Sequence, residues 1–220
     1  MEKALLLSGG MDSTTLLWWM RARGDDVHAI SIDYNQRHRV ELQWATALTS
    51  QLNIPHKTIS LDLSTIGGSP LTDRALDVPS AASAEQVRTV VPFRNMLFVT
   101  LAAAYAETQG MSELYLAPVR DDFTAYRDCR RPFYDSLEES LGLGATRETE
   151  FRLHTPFVEW WKVDVVKEGI ALGVPYEKTH TCYEGRRPAC GRCDACAERI
   201  AAFRDNGVCD PLEYEVDIAW

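Results

Sequence analysis

The sequence predicts an α/β fold built on a parallel sheet, and three observations carry this prediction. Short apolar segments suited to buried strands alternate with longer segments that place apolar residues at helical spacing. Parallel strands need a crossover between them, usually a helix, so the alternation favours a parallel sheet covered on both faces. The composition, 45% hydrophobic and 25% charged over 220 residues, is that of a globular protein with a sizeable core.

The predicted elements follow each other regularly along the chain. The predicted strands cover residues 3–7, 27–33, 57–61, 113–117 and 151–155. The predicted helices cover residues 12–23, 40–52, 94–108, 130–141, 162–172 and 194–205. Residues 64–92 contain adjacent glycines, three prolines and many Ser and Ala, which predicts a long, partly mobile loop. Such a loop inside a compact domain is more often functional than idle.

The pattern changes near residue 179, where a cysteine-rich knuckle and a helix replace the strand–helix alternation. We therefore predict an α/β domain over residues 1–178 and a cysteine-rich segment over residues 179–220 packed on it.

The net charge limits the kinds of molecule that the protein is expected to bind. Net charge is −9, with 32 acidic against 23 basic residues. Because phosphate contacts supply most non-specific affinity for nucleic acid, such a chain predicts no direct nucleic-acid partner. No apolar run approaches membrane-spanning length, and no charged-then-apolar leader precedes the first strand. We expect a cytoplasmic protein without a membrane partner.

Four of the six cysteines lie within fifteen residues, with the spacing C-x7-C-x2-C-x2-C. They are Cys182, Cys190, Cys193 and Cys196. In a reducing cytosol this clustering indicates a metal site more readily than disulfides, which remain the alternative. Four thiolates close a tetrahedral zinc shell and leave no position for a substrate, so we predict structural Zn²⁺. Cys209 lies outside the pattern.

A tight turn, SGGMDST (residues 8–14), joins the first strand to the first helix. The helix start offers free backbone N–H groups and the positive end of the helix dipole, and the glycines lack the Cβ atoms that would keep a phosphate away. Asp12 either caps the helix or helps to coordinate Mg²⁺. The turn matches neither the Walker pattern nor G-x-G-x-x-G. A glycine turn without a ligand is the alternative. The candidate nucleotide-binding residues are Ser8, Gly9, Gly10, Met11, Asp12, Ser13 and Thr14.

The turn resembles the Ser-Gly-Gly-x-Asp-Ser signature of the PP-loop ATP pyrophosphatases, which grips the pyrophosphate of ATP. Other segments are similar to those of the QueC family, the 7-cyano-7-deazaguanine synthases. These segments are DYNQRH (33–38), VPFRNMLF (91–98), DFTAYRDCR (122–130), HTPF (154–157), Lys162 and the cysteine cluster. The resemblance spans essentially the whole chain.

The resemblance implies a reaction with 7-carboxy-7-deazaguanine, ATP and ammonia. Enzymes of this family adenylate the carboxylate, form the amide, then adenylate the amide oxygen and expel it to give the nitrile. A carboxylate is a poor electrophile because its leaving group would be oxide, and AMP is a good leaving group. The protein need only align the acid with the α-phosphate and neutralise charge there. The family also implies bound ATP and Mg²⁺, and a homodimer.

Site roles carried over from the resemblance fall into three groups. Asp12, Arg94 and Lys162 are implied to be catalytic, with Arg94 countering phosphate charge. Gln36, Arg37, His38 and Asn95 are implied to face the nucleotide, at the sheet edge where ligands bind in open α/β folds. The implied deazaguanine pocket comprises Phe93, Arg120, Asp122, Phe123, Tyr126, Asp128 and Arg130. Each has an ordinary alternative as a surface, capping or core residue.

The chain departs from the family pattern at several positions. Asn35 and Phe93 stand where the pattern has glycine, and Val119 and Arg120 stand where it has a cysteine and a glutamate. These changes raise a rival hypothesis: a QueC-like enzyme of type IV CBASS antiphage defence, which joins a deazaguanine to the N-terminus of a partner protein. Two further alternatives are a PP-loop sulfur transferase acting on tRNA, which would need a reactive cysteine, and a zinc module without enzymatic activity.

Overall fold

The computed structural model of the chain describes residues 2–82, 89–147 and 150–220. Within these ranges five strands form one parallel sheet in the order β3-β2-β1-β4-β5, which confirms the predicted fold class. The strands are β1 (Lys3–Leu6), β2 (Val27–Asp33), β3 (His56–Ser60), β4 (Glu113–Tyr115) and β5 (Arg152–His154).

Six helices connect and cover the strands in the described ranges. They are α1 (Met11–Ala22), α2 (Val40–Leu52), α3 (Arg94–Thr108), α4 (Arg131–Gly144), α5 (Lys162–Ala171) and α6 (Asp194–Asp205). Three short 3₁₀ helices, which the sequence did not predict, cover Arg120–Phe123, Arg127–Cys129 and Tyr176–Lys178. None of these described helices has the length and apolar character needed to span a lipid bilayer.

Alternate residues of β1 pack on opposite faces of the sheet, as the period of a strand requires. Leu5 and Leu7 are buried with residues of α1 and α5, whereas Ala4 is buried on the other face with residues of α3 and α4. Every strand neighbour of β1 is parallel to it, with Leu5 opposite Ala29 of β2 and Tyr115 of β4. Both faces of the sheet are therefore covered.

The strand order reverses direction at β1. The chain moves outward through β2 and β3 and then returns to the other side of β1 with β4. In open α/β sheets a crevice forms at such a switch point, outside the carboxyl ends of the two strands. The fold thus places the turn that follows β1 beside the segment that follows β4.

A buried arginine holds the C-terminal segment against the rest of the chain. Arg199 of α6 is 1% exposed and donates to both carboxylate oxygens of Asp210, at 2.6 and 2.8 Å. The same guanidinium donates to the Thr179 hydroxyl at 2.6 Å and to the Tyr176 carbonyl at 3.0 Å. Because every one of these groups is satisfied, α6 has a fixed position beside α5.

Parts of the predicted loop are packed against the rest of the protein. Leu71 is fully buried in the core, and the Ala81 N–H donates to the Arg192 carbonyl at 2.9 Å. Residues 83–88, which belong to the same predicted loop, lie outside the described residues.

Candidate active site

A cleft of about 280 Å³ opens at the carboxyl ends of β1, β2 and β4, at the switch point of the sheet. Its walls come from the turn after β1, from α2 and α3, from the segment after β4 and from α6. Eleven predicted site residues line this cleft: Ser8, Gly10, Met11, Asp12, Ser13, His38, Arg94, Asn95, Asp122, Tyr126 and Lys162.

The turn after β1 has the geometry of an anion-binding helix start. Gly10 is the N-cap of α1, and the N–H groups of the first turn of a helix have no partner within the helix. The Ser8 hydroxyl accepts from the Gly10 N–H at 3.1 Å and lies 2.9 Å from the Ser13 hydroxyl. These contacts hold the turn in shape and leave the helix N-terminus directed at the cleft.

Gly9 and Thr14 belong to the same turn but do not line the cleft. Gly9 has φ +88° and lies against the backbone of α2, while Thr14 is fully buried behind the first turn of α1. Gly9 and Thr14 therefore support the neighbouring residues that face the cleft.

Lys162 and three carboxylates form a charged part of the cleft. The Lys162 ammonium is buried and lies 3.0 Å from Asp122 Oδ1 and 2.8 Å from Glu198 Oε2. Burial alone would lower the pKa of Lys162, but the carboxylates of Asp122, Asp12 and Glu198 outweigh it and hold this pKa well above its usual range. Lys162 is therefore a permanent cation at the cleft floor.

Asp12 faces this cation from the first turn of α1. Its Oδ1 atom is buried and has no hydrogen bond among the described residues. Burial raises the pKa of Asp12 to about 7, against the opposing influence of Lys162. A buried carboxylate oxygen without a partner fits a divalent cation, so Asp12 is a candidate ligand for one.

Arg94 and Asn95 reach the cleft from the start of α3. Arg94 lies over the ring of Tyr126, 5.7 Å from its centroid, and 3.5 Å from the Tyr34 hydroxyl. Asn95 is held by Asp128: its backbone N–H donates to the carboxylate at 3.3 Å and its side-chain amide to the Asp128 carbonyl at 3.2 Å. Asp128 thus caps α3 and lies outside the cleft lining.

His38 and Glu41 form a buried polar wall opposite Lys162. His38 Nε2 lies 3.5 Å from Glu41 Oε1. Burial lowers the pKa of His38 to about 3 and raises that of Glu41 to about 8, so both groups are uncharged at neutral pH. His38 Nδ1 is buried and has no hydrogen-bond partner within the described chain. The wall therefore offers neutral donors and acceptors.

Two residues of the DYNQRH segment have other partners. Gln36 is fully buried, where its side chain accepts from the Tyr34 N–H at 2.9 Å and donates to Glu41 at 3.2 Å. Arg37 donates to the carbonyls of Asp73 and Leu76, at 3.1 and 2.6 Å. Gln36 therefore orients Glu41, and Arg37 holds the loop after β3. Neither side chain lines the cleft.

Five residues of the implied deazaguanine pocket also lie outside the cleft lining: Phe93, Arg120, Phe123, Asp128 and Arg130. Phe93 is 71% exposed. Arg120 lies over the ring of Trp161 and 3.9 Å from Glu159, away from the cleft. Arg130 donates to the carbonyl of Phe123 at 2.6 and 3.1 Å, which closes the loop between the two 3₁₀ helices.

The cleft also contains residues that the sequence interpretation did not identify. They are Tyr34, Glu41, His180, Thr181, Tyr183, Ala195 and Glu198, together with apolar residues at the strand ends. Several follow from proximity to the cysteines, because the knuckle folds back over the turn: the His180 N–H donates to the Gly9 carbonyl at 3.0 Å. Their nearness in sequence to the four cysteines was the signal that could have identified these residues.

The four predicted cysteines come together. The Sγ atoms of Cys182, Cys190, Cys193 and Cys196 all lie within 4.8 Å of one another, and all four residues are buried. Four thiolates around one tetrahedral ion at about 2.3 Å would lie about 3.8 Å apart, so the arrangement fits a single zinc ion. Backbone N–H groups of Arg192 and Cys193 donate to the Cys190 sulfur at 3.4 Å, which favours its thiolate form.

A parallel sheet with an Ser-Gly-Gly-x-Asp-Ser turn at its switch point defines the PP-loop class of nucleotide-binding α/β proteins. The family model "Queuosine biosynthesis protein QueC" matches residues 3–207. The chain belongs to the QueC family.

Relatives of similar length support this membership. The chain is 41% identical to a 7-cyano-7-deazaguanine synthase of Clostridium kluyveri, over 98% of this chain and 99% of that one. It is 43% identical to the protein of the same name from Methanoregula boonei, over 98% and 100%. Among solved structures, the U34-tRNA thiolase NcsA from Methanococcus maripaludis has a TM-score of 0.54 at 14% identity, over 82% of this chain and 59% of that one. This last likeness concerns the fold alone.

Proposed function

We propose that this protein is an ATP-dependent carbon–nitrogen ligase that converts 7-carboxy-7-deazaguanine and ammonia into 7-cyano-7-deazaguanine. The observation that carries the proposal is the convergence of the phosphate-binding turn, Arg94 and Lys162 on one cleft. Relatives about 40% identical over their full length bear the name of this activity. The remaining features are consistent with it.

The proposed chemistry has two adenylations. A carboxylate oxygen of the substrate attacks the α-phosphorus of ATP and pyrophosphate leaves. Ammonia then attacks the activated carbonyl carbon, loses a proton, and AMP leaves to give the amide. The amide oxygen attacks the α-phosphorus of a second ATP and pyrophosphate leaves, and loss of AMP and two protons gives the nitrile. The start of α1 binds the departing pyrophosphate, while Arg94 and Lys162 offset the charge that develops at phosphorus.

The uncharged wall formed by His38 and Glu41 is suited to binding the heteroaromatic ring of a ligand. His38 and Glu41 present uncharged polar groups, and the rings of Tyr34 and Phe98 lie 4.9 Å apart beside them. Tyr126 adds a further ring to the lining. Flat heteroaromatic rings pack on aromatic faces, and buried polar groups select their hydrogen-bonding edge. Zn²⁺ at the four cysteines would be structural and would hold the segment that covers the turn.

The thiol chemistry argues against sulfur transfer. Cys129 is the one cysteine of the six, all of them in the described ranges, that lines the cleft. Burial raises the pKa of its thiol well above the usual value, so little thiolate forms at neutral pH. A cysteine that carries sulfur needs a lowered pKa, so that its thiolate forms at neutral pH.

The hypothesis of conjugation to a protein N-terminus, as in antiphage defence, has no support among the relatives, which carry the name of the nitrile synthase. Arg120, whose charge motivated it, pairs with Glu159 outside the cleft. A homodimer remains a prediction from the family resemblance, and a cytoplasmic location remains a prediction from the sequence.

Mass spectrometry of the products tests the proposed function. The protein is incubated with ATP, Mg²⁺, 7-carboxy-7-deazaguanine and ammonium, and we expect AMP, pyrophosphate and the nitrile. Asp12→Ala should abolish the turnover, whereas Asp26→Ala, an exposed position beyond α1, should not. Absence of AMP from the complete mixture with the wild-type protein would overturn the proposal, and wild-type turnover by Asp12→Ala would overturn the role of the turn.

A further inference from the structure

Lys162 is held at both ends by acidic residues. It is the first residue of α5, and its backbone N–H donates to Asp121 Oδ2 at 2.7 Å. Its ammonium donates to Asp122 at 3.0 Å and pairs with Glu198 at 2.8 Å. Asp121 and Asp122 belong to the segment that follows β4, so they and Lys162 come from the PP-loop part of the fold. Glu198 does not.

Glu198 comes from the helix that contains one of the four cysteines and begins directly after another. Helix α6 begins after Cys193, includes Cys196, and presents Glu198 to the cleft half a turn later. The buried Arg199, next in sequence, fixes the same helix through Asp210. The position of the Glu198 carboxylate is therefore set by the four-cysteine segment.

We infer that Glu198 is a positioning residue, which, together with Asp122, fixes the direction of the Lys162 ammonium and so connects the four-cysteine segment to the adenylation site. This inference rests on the proposed function for the role of Lys162. A flexible lysine samples many rotamers, and ordering it before the reaction removes an entropic cost from the chemical step. Two carboxylates from different elements define the direction of the amine more strictly than one.

The negative charge of Glu198 allows a positioning role to be distinguished from a direct electrostatic effect on ATP binding. Glu198 is negative and lies beside a site for a polyanion, so its removal should not weaken ATP binding through charge alone. If Glu198 acts by orienting Lys162, its loss lowers kcat and leaves the KM for ATP unchanged or lower. If Glu198 only stabilises the fold, its loss lowers the melting temperature and the metal content in step with activity.

Nuclear magnetic resonance of the lysine ammonium tests the contact without any turnover. A buried, ion-paired ammonium exchanges its protons slowly enough to give a ¹H–¹⁵N cross-peak, and Lys162→Met assigns it. We expect Glu198→Gln, which keeps the side-chain volume, to broaden or remove this peak. Asp205→Asn, an exposed acid-to-amide change on the same helix, should leave it unchanged. An unaltered peak in Glu198→Gln would overturn the inference.

Steady-state kinetics of the same variants tests the consequence. We expect kcat of Glu198→Gln to fall about 10- to 100-fold, the range for losing a hydrogen bond to a charged group, with the KM for ATP not raised. Melting temperature and bound metal should match those of Asp205→Asn. An unchanged kcat, a raised KM alone, or a loss of metal parallel to the loss of activity would each overturn the inference. If the wild-type protein forms no AMP, the proposed function fails, and the spectroscopic result still decides whether Glu198 orders Lys162.

Discussion

Gly9 lies so close to Glu41 that no other residue fits at its position. A Cβ atom built on Gly9 would lie 2.1 Å from the Glu41 carbonyl oxygen, and Gly9 has φ +88°, which favours glycine. The turn after β1 therefore packs directly on the backbone of α2. Close packing on α2 therefore explains why residue 9 is a glycine. Gly10, in contrast, faces the cleft.

We predict that Gly9→Ala lowers both stability and ATP-dependent turnover, because the turn or α2 must move. Gly24→Ala is the matched control, since Gly24 has φ +80° and no atom within 4 Å of the added Cβ. The control isolates the backbone cost, about 1–2 kcal/mol, or a few degrees in melting temperature. Thermal unfolding should show a larger loss for Gly9→Ala. Equal losses with normal turnover would contradict the packing argument.

Phe93 is predicted to be a position of backbone strain. It has φ +58° at the N-cap of α3 and is 71% exposed, so its ring contributes little burial in return. Phe93→Gly should stabilise the protein by about 1 kcal/mol relative to Phe93→Ala, which removes the same ring and keeps the strain. Denaturant unfolding of the two variants measures the difference. Equal stabilities would show that the left-handed conformation costs nothing here.

The backbone conformation of Phe93 accords with the glycine that the family pattern has at this position. Asn35 and Phe93 stand where the family pattern has glycine, and both have positive φ, +62° and +58°. The glycines of the family pattern therefore correspond to a positive φ, and the chain keeps this conformation where another residue replaces the glycine. The exposure of Phe93 could not be read in this way, because the direction of a side chain at a helix start depends on the elements packed around it.

The fold and the β1–turn–α1 part of the site could be predicted because both depend on contacts local in sequence. Strand periodicity, the helix start and the cysteine spacing each lie within a few residues. Glu198 and His180 reach the cleft only because the C-terminal segment folds back, and Glu198 contacts Lys162, which lies 36 positions earlier in the sequence. Arg37 was implied to face the nucleotide but bonds to the carbonyls of Asp73 and Leu76, contacts that no local pattern specifies.

Glu41 gives a prediction for pH. Burial raises its pKa from 4.5 to about 8, so the folded state holds a proton that the unfolded state has already lost at intermediate pH. Its contribution to stability is therefore present below about pH 4.5 and is lost as pH rises through about 8. Glu41→Gln cannot titrate, so its melting temperature relative to wild type should increase from pH 5 to pH 8.5. Glu139→Gln, exposed on α4, is the control. A difference that does not change with pH would contradict the burial of this carboxyl.

The four-cysteine site should be required for the cleft as well as for the metal. The knuckle supplies His180, Thr181 and Tyr183 to the cleft lining, and the His180 N–H holds the Gly9 carbonyl of the turn. We predict that Cys190→Ser releases the bound metal and weakens ATP binding by at least 10-fold, the lower end for disturbing a metal site. Metal analysis and calorimetric titration with Mg²⁺-ATP measure the two effects.

Cys209→Ser is the matched control, because Cys209 is exposed and lies outside the four-cysteine set. It should keep both the metal and the affinity for ATP. Since the four cysteines themselves do not line the cleft, a loss of ATP affinity in Cys190→Ser must pass through the segment to which they belong. Retained ATP binding in metal-free Cys190→Ser would mean that the buried Arg199–Asp210 pair alone keeps this segment over the turn, and the metal would then have no part in shaping the nucleotide site.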